Sequence, residues 1–223
     1  MKKTTHSLNN IVVAGIDTEI GKTVISTILC KSLKADYWKP IQAGDLHLTD
    51  TDKVSLLTDK KYTKIHPEGI RLKHPMSPHA SADLEGIEVN LTTLDIPKTD
   101  NRLIIELAGG LMVPINHQVL NIDLLEKWKQ PVVLVSKYYL GSINHTLLSW
   151  QLLQDRNIPF LGFIFNGEKN QSTFDIILEY TKAPCLLEVE QHETVDAAMI
   201  QKYATKIKSV SYTHLTLPTI LLV

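Results

Sequence analysis

The sequence predicts an α/β fold in which a mostly parallel central sheet carries helices on both faces. Three observations predict it. Short apolar runs recur along the 223 residues, continuous rather than alternating and rich in Val and Ile, as strands buried on both faces are. Between them lie segments with apolar residues at i, i+3 and i+4, the helical period. Strand and helix alternate, which builds crossover units and places ligands on the loops at the carboxyl ends of the strands.

Taken in order, residues 11–14 are the first strand, and a helix with Ile25, Ile28, Leu29 and Leu33 follows a glycine-containing loop. A weaker strand covers 36–39, and residues 46–98 are less regular, with the turn-prone segment HPMSPH at 74–79, an excursion suited to covering a site. Strands at 103–107, 132–136, 160–166 and 185–189 alternate with helices marked by Ile122, Leu125 and Trp128, then Ile143, Leu147 and Leu148, then Phe174, Ile177 and Leu178. A last helical pattern covers 195–207. No Pro/Gly/Ser-rich linker or charge block divides the chain, so residues 1–210 read as a single domain. From Ser211 the polarity shifts abruptly and periodicity is lost, so 211–223 read as a non-native-looking or disordered tail.

The charges nearly cancel, with 23 Lys+Arg against 24 Asp+Glu, which argues against a nucleic-acid partner or an anionic membrane surface. Two cysteines, Cys30 and Cys185, make no disulfide framework and lack the spacing of a zinc site. The apolar run at 11–14 is too short for a signal-peptide core or a membrane span. A cytoplasmic location is expected.

The sharpest local feature is Gly15-Ile-Asp-Thr-Glu-Ile-Gly21-Lys22-Thr23, between the first strand and the first helix. That setting suits a phosphate-binding loop. Glycines permit close backbone approach, amides at a helix start point at phosphate oxygens, and the helix dipole favours anions. Lys22 would neutralise the β- and γ-phosphates and the Thr23 hydroxyl would ligate magnesium. Ile16 stands at the first glycine position of the usual pattern, with Gly15 one residue earlier.

This loop resembles that of the ATP-dependent dethiobiotin synthetases, members of the larger P-loop NTPase group. Four further segments fall in that family's order: Lys39-Pro-Ile-Gln-Ala-Gly44, Ser77-Pro-His79, Glu106-Leu-Ala-Gly-Gly110 with Val113-Pro114, and Leu140-Gly-Ser-Ile-Asn-His145. The resemblance spans roughly residues 11–189 and implies a P-loop NTPase-like fold. It also implies an enzyme that uses Mg2+, ATP and CO2 to close a ureido ring on 7,8-diaminopelargonate, giving dethiobiotin, ADP and phosphate, usually as a homodimer.

The resemblance also implies roles for single residues. Gly15, Thr18, Glu19, Ile20, Gly21, Lys22 and Thr23 would hold the nucleotide, and Thr18 would also face the substrate. Lys39 and Lys22 would be catalytic, with Lys39 touching both the carbamate and the transferring phosphoryl group. Ala43 takes the place of the family's hydroxyl residue. Ser77, His79, Gly109 and Gly110 would line the substrate mouth, and Gly141 and Asn144, delivered from the partner subunit, would meet the substrate's distal carboxylate. Asn166 would read adenine.

Thr23, Asp52 and Glu106 would bind the metal, with Asp50 as the alternative to Asp52. A carboxylate such as Glu106 at a buried strand's end is costly unless paired or metal-bound, which points to use. Three departures from the family pattern stand out: Ala43, Leu107 where glycine is usual, and Leu187-Glu188-Val189-Glu190 where an adenine loop is expected. Two other readings remain open from sequence: a partition-type ATPase switch, which usually carries an extra lysine early in its phosphate loop, and a degenerate member that binds nucleotide without full turnover. The reaction itself asks for positioning and electrostatics rather than a nucleophilic Ser or Cys.

Overall fold

A computed structural model describes residues 10–90 and 94–214, with 208–214 as helical backbone. The main sheet has six strands, all parallel, in the order β2-β5-β1-β6-β7-β8. They are β1 (Ile11–Gly15), β2 (Asp36–Trp38), β5 (Leu103–Gly110), β6 (Val132–Lys137), β7 (Phe160–Asn166) and β8 (Cys185–Val189). The helices are α1 (Lys22–Leu33), α2 (Asp50–Leu57), α3 (Pro78–Glu85), α4 (Asn121–Trp128), α5 (Ser142–Asp155), α6 (Gln171–Thr181) and α7 (Ala197–His214).

The central strands are apolar on both faces because both faces are covered. Val12, Val13 and Ala14 of β1, Ile104 and Ile105 of β5, and Val132–Val135 of β6 are all wholly buried. The chain runs from β1 through α1 to β2 in one direction along the sheet, and from β5 through α4 to β6 in the other. Right-handed crossovers then put α1 and α4 on opposite faces. α7 packs beside α1, and α5 beside α6. Between β1 and its neighbours the strand order reverses, the place where parallel sheets open a crevice.

The irregular excursion holds structure that periodicity does not reveal. β3 (Ile41–Ala43) and β4 (Ile70–Leu72) pair in parallel as a separate two-stranded sheet. Three-residue strands are too short to display a period. α2 and α3 begin on local signals, a Thr49 cap on one and Pro78 in the first turn of the other.

Several boundaries differ from expectation by a residue or more. β5 continues to Gly110, so Glu106 lies within the strand rather than at its end. α7 continues to His214, past the helical pattern at 195–207, while 215–223 lie outside the described residues. No described helix is long and apolar enough to cross a membrane.

Candidate active site

The carboxyl ends of β1 and β5 and the amino end of α1 converge on one cleft of about 690 Å3. The loop from β1 to α1 supplies one wall. A side chain at Gly15 would lie 2.6 Å from Ile20 Cδ1, and one at Gly21, where φ is 94°, would collide with the Asn166 amide. Gly21 therefore has to be glycine, while at Gly15 a Cβ would have to displace the Ile20 and Lys22 side chains. Ile20 is buried, anchoring the loop from within, and Asn166 at the end of β7 donates Nδ2 to the Ile20 carbonyl at 2.8 Å. In this structure, then, Asn166 braces the phosphate loop, and it is not among the residues lining the cleft.

Beneath the loop lies a buried network of charges. Lys39, on the turn from β2 to β3, reaches Asp50 Oδ2 at 2.7 Å and Glu106 Oε1 at 3.0 Å. Thr23 Oγ1 donates to Glu106 Oε1 at 2.8 Å, and Tyr37 Oη donates to Glu106 Oε2 at 2.9 Å. Lys22 Nζ donates to the Asp17 carbonyl at 2.6 Å. Lys22, Tyr37, Lys39 and Glu106 are all buried.

The ionisation of these groups follows from burial and mutual charge. Burial alone would lower the pKa of Lys39, but Glu106 and Asp50 outweigh it and the ammonium is held above its ordinary value. Burial likewise works against the Asp50 carboxylate, and Lys39 more than compensates, leaving its pKa low. Lys22 has no equal compensation: burial, then the charge of Lys39, lower it to about 8. Burial, then Glu106, push the Tyr37 phenol well above its usual value.

Of the residues singled out from sequence, Thr18, Glu19, Gly21, Lys22, Thr23, Lys39, Ala43, Ser77, Glu106, Gly109 and Gly110 line this cleft. Asp52 does not. Its carboxylate accepts from the backbone amide and hydroxyl of Thr49, both at 2.9 Å, closing a capping box that holds its pKa low. This geometry sets Asp52, the acid preferred from sequence, apart from the cleft, and the acid beside Lys39 and Glu106 there is Asp50.

His79 also stands apart from the cleft, edge-on to His117 at 5.7 Å between ring centres. Gly141, with φ 98°, opens α5 and is exposed along with Asn144, outside the cleft lining of this one chain. Leu107 does not crowd the glycine turn, because strand alternation points it away from Glu106 and it is buried in the core. Glu190 pairs with Lys202 at 3.2 Å and accepts from Tyr203 Oη at 3.2 Å, so its charge turns onto α7.

Two contributors escaped sequence reading. Tyr37 sits in a three-residue strand between Asp36 and Trp38, and nothing local marks its hydroxyl. Gln42 accepts from the Asp50 amide at 3.3 Å and donates to the Gly44 carbonyl at 3.0 Å, holding the start of α2 against β3.

Comparison with known proteins agrees with this geometry. The AAA domain family model matches residues 9–199. The chain is 43% identical over 196 residues to the ATP-dependent dethiobiotin synthetase BioD of Christiangramia forsetii, covering 88% of this chain and 94% of that protein. It is 44% identical to the ATP-dependent dethiobiotin synthetase BioD of Cytophaga hutchinsonii, covering 87% and 95%. The chain belongs to the ATP-dependent dethiobiotin synthetase family. Among solved structures, a plasmid partition protein from Borrelia burgdorferi shares the P-loop NTPase-like fold with a TM-score of 0.57 at 12% identity, over 91% of this chain and 97% of that one. A second from the same species, bound to AMPPNP, gives 0.54 at 11% identity, over 91% and 98%. At those identities the likeness concerns the fold alone, whereas the synthetase relatives carry the family.

Proposed function

We propose that this chain is a dethiobiotin synthetase, closing the ureido ring on 7,8-diaminopelargonate with CO2 and Mg-ATP to give dethiobiotin, ADP and phosphate. The observation that carries the reading is one cleft holding both a phosphate loop with Lys22 and a second buried lysine, Lys39, set between Asp50 and Glu106. A simple nucleotide site has no need of the second lysine. Membership of the synthetase family supports the same conclusion.

The donor set suits magnesium. Thr23 Oγ1, Asp50 and Glu106 offer a hydroxyl and two carboxylates around one point of positive charge, now the Lys39 ammonium, and Mg2+ favours one or two carboxylates completed by phosphate and water. Those three residues would hold the ion, which supplies charge neutralisation at the β- and γ-phosphates.

The chain's own groups divide the remaining work. Amides at the start of α1 and Lys22 cradle the phosphates. A neutral amine of the substrate takes up CO2 as a carbamate, losing a proton, and the carbamate oxygen attacks the γ-phosphate and displaces ADP while Lys39 stabilises negative charge on both partners. The second amine then attacks the activated carbonyl, and phosphate leaves. Thr18, Ala43, Ser77 and the Gly109–Gly110 turn also line the cleft and would meet this second substrate.

A homodimer completes the reading. Tyr139, Leu140 and Ile143 expose apolar surface beside Gly141 and Asn144, and Leu140 is fully exposed. A second subunit would cover that surface and bring Gly141 and Asn144 to a neighbouring cleft. Two unbridged thiols fit a reducing cytoplasm. Phosphate release with Mg-ATP and bicarbonate, with and without the diamine, tests the proposal alongside mass detection of dethiobiotin. Diamine-dependent release matching product is expected; nucleotide binding without it would overturn the assignment.

A further inference from the structure

Glu106 is asked to serve several partners with two oxygens, and the structure divides them unevenly. Oε1 takes the Thr23 hydroxyl at 2.8 Å and the Lys39 ammonium at 3.0 Å. Oε2 takes the Tyr37 hydroxyl at 2.9 Å. Tyr37 and Glu106 sit on adjacent strands, where Tyr37 pairs with Ile104 and Trp38 with Ile105. The phenol therefore reaches Glu106 from β2, on the far side of β5 from β1 and its phosphate loop. Tyr37 is wholly buried and its ring is packed in the core, so it cannot swing away to another partner.

We infer that Tyr37 is a positioning residue, which by pinning Glu106 Oε2 from the neighbouring strand β2 fixes Oε1 toward Thr23 and the metal position. This rests on the magnesium site proposed above. A carboxylate free to rotate about its terminal bond presents either oxygen in a range of orientations. One held at Oε2 by a rigid donor presents Oε1 in one. The arrangement is that of an outer group that orients a ligating oxygen without touching the ion. Nothing in the phosphate-loop pattern requires a tyrosine at this position, since the donor arrives from a neighbouring strand rather than from the loop.

The test compares Tyr37→Phe with the unaltered protein, since phenylalanine keeps the ring and removes only the donor. Mn2+ binding to the full chain loaded with a non-hydrolysable ATP analogue, read by water-proton relaxation, measures the site without turnover. The expected result is about 10-fold weaker Mn2+ binding, with analogue binding in the absence of metal within about twofold of the unaltered protein. In kinetics, kcat should fall at saturating ATP and diamine while KM for the diamine stays put.

A double variant settles the route. In a Glu106→Gln background, adding Tyr37→Phe should change Mn2+ binding no further, because the phenol acts only through the carboxylate. Unchanged Mn2+ affinity in Tyr37→Phe, or a loss of equal size in the Glu106→Gln background, would overturn the inference and leave Tyr37 as core packing. Should the chain bind metal and nucleotide but make no dethiobiotin, the functional proposal would fall while the Mn2+ comparison still decided the role of Tyr37.

Discussion

Asp50 and Asp52 stand two residues apart in the first turn of α2, and the molecule uses them differently. Successive helical residues rotate by about 100°, so the two carboxylates leave the helix on nearly opposite sides. Asp50 faces the cleft and pairs with buried Lys39 at 2.7 Å. Asp52 faces outward, caps its own helix, and borders a groove of about 320 Å3 that also holds Glu68 and Arg71. On that outer side Arg71 meets Glu68 at 2.7 Å, with the arginine half exposed. Both faces carry charge pairs of similar length. What separates them is that the β2–β3 turn, β5 and the first turn of α1 deliver Lys39, Glu106 and Thr23 to one face, while the other is built around a helix cap and a surface ion pair.

The largest expected effects lie on the cleft side. Lys22→Ala and Glu106→Gln should each reduce dethiobiotin formation by about 10^3-fold, the scale of losing a fixed charge at a phosphoryl-transfer site. Arg71→Ala on the outer face should leave the rate within twofold, as a solvated ion pair contributes little. Steady-state product formation by mass checks all three, and a rate loss in Arg71→Ala as large as the others would erase the contrast between the faces.

The aspartates themselves give the sharpest version. Asp50→Asn should lower turnover by about 10^2-fold and raise the Mg2+ concentration needed for half-maximal rate. Asp52→Asn should keep turnover and cost about 1 kcal/mol of stability through the weakened cap. Measured together by Mg2+ titration and thermal melting, the opposite pattern would return the metal role to Asp52.

That pair also shows what sequence could and could not reveal. The sheet was legible because Val- and Ile-rich runs have few alternatives to burial, and the phosphate loop because its glycines and Lys22-Thr23 are consecutive. Glu106 was legible from its setting, a carboxylate at the foot of an apolar run. The choice between Asp50 and Asp52 was not, because it depends on where α2 starts. Thr49 caps that helix one residue ahead of Asp50, whereas a helix beginning at 53 would leave both acids in a loop with no defined facing. Tyr37 was hidden for a related reason: its partner is 69 residues away, brought to it by β2–β5 pairing. Contacts made by strand order leave no local mark.

Removing Lys39 probes the cleft as a balance of charge. Lys39→Ala leaves Glu106 and Asp50 without their shared cation, and loss of one partner in a buried pair costs about 3 kcal/mol. Millimolar Mg2+ should then raise the melting temperature of Lys39→Ala more than that of the unaltered protein, because a cation can stand where the ammonium stood. Equal shifts in the two proteins would mean the carboxylates do not share a cation position.

The smallest effect concerns Lys22, whose charge the fold tolerates poorly until a phosphate arrives. Its pKa falls from 10.5 to about 8, chiefly through burial and then through Lys39. Between those values the unfolded chain holds the proton more firmly than the folded one, so this group makes the ligand-free protein more stable as pH rises from about 8 to 10.5. Lys22→Met lacks the titration, so any stability advantage it has near neutral pH should shrink across that window in denaturant melts. A bound phosphate reverses the preference for charge. ATP binding at pH 8 should take up about half a proton, seen by calorimetry in buffers of different ionisation enthalpy, and affinity should weaken as pH climbs further. Proton-neutral binding at pH 8, with a constant gap between the two proteins' stabilities, would show that Lys22 keeps an ordinary pKa and that the loop is no less comfortable with charge than the outer face of α2.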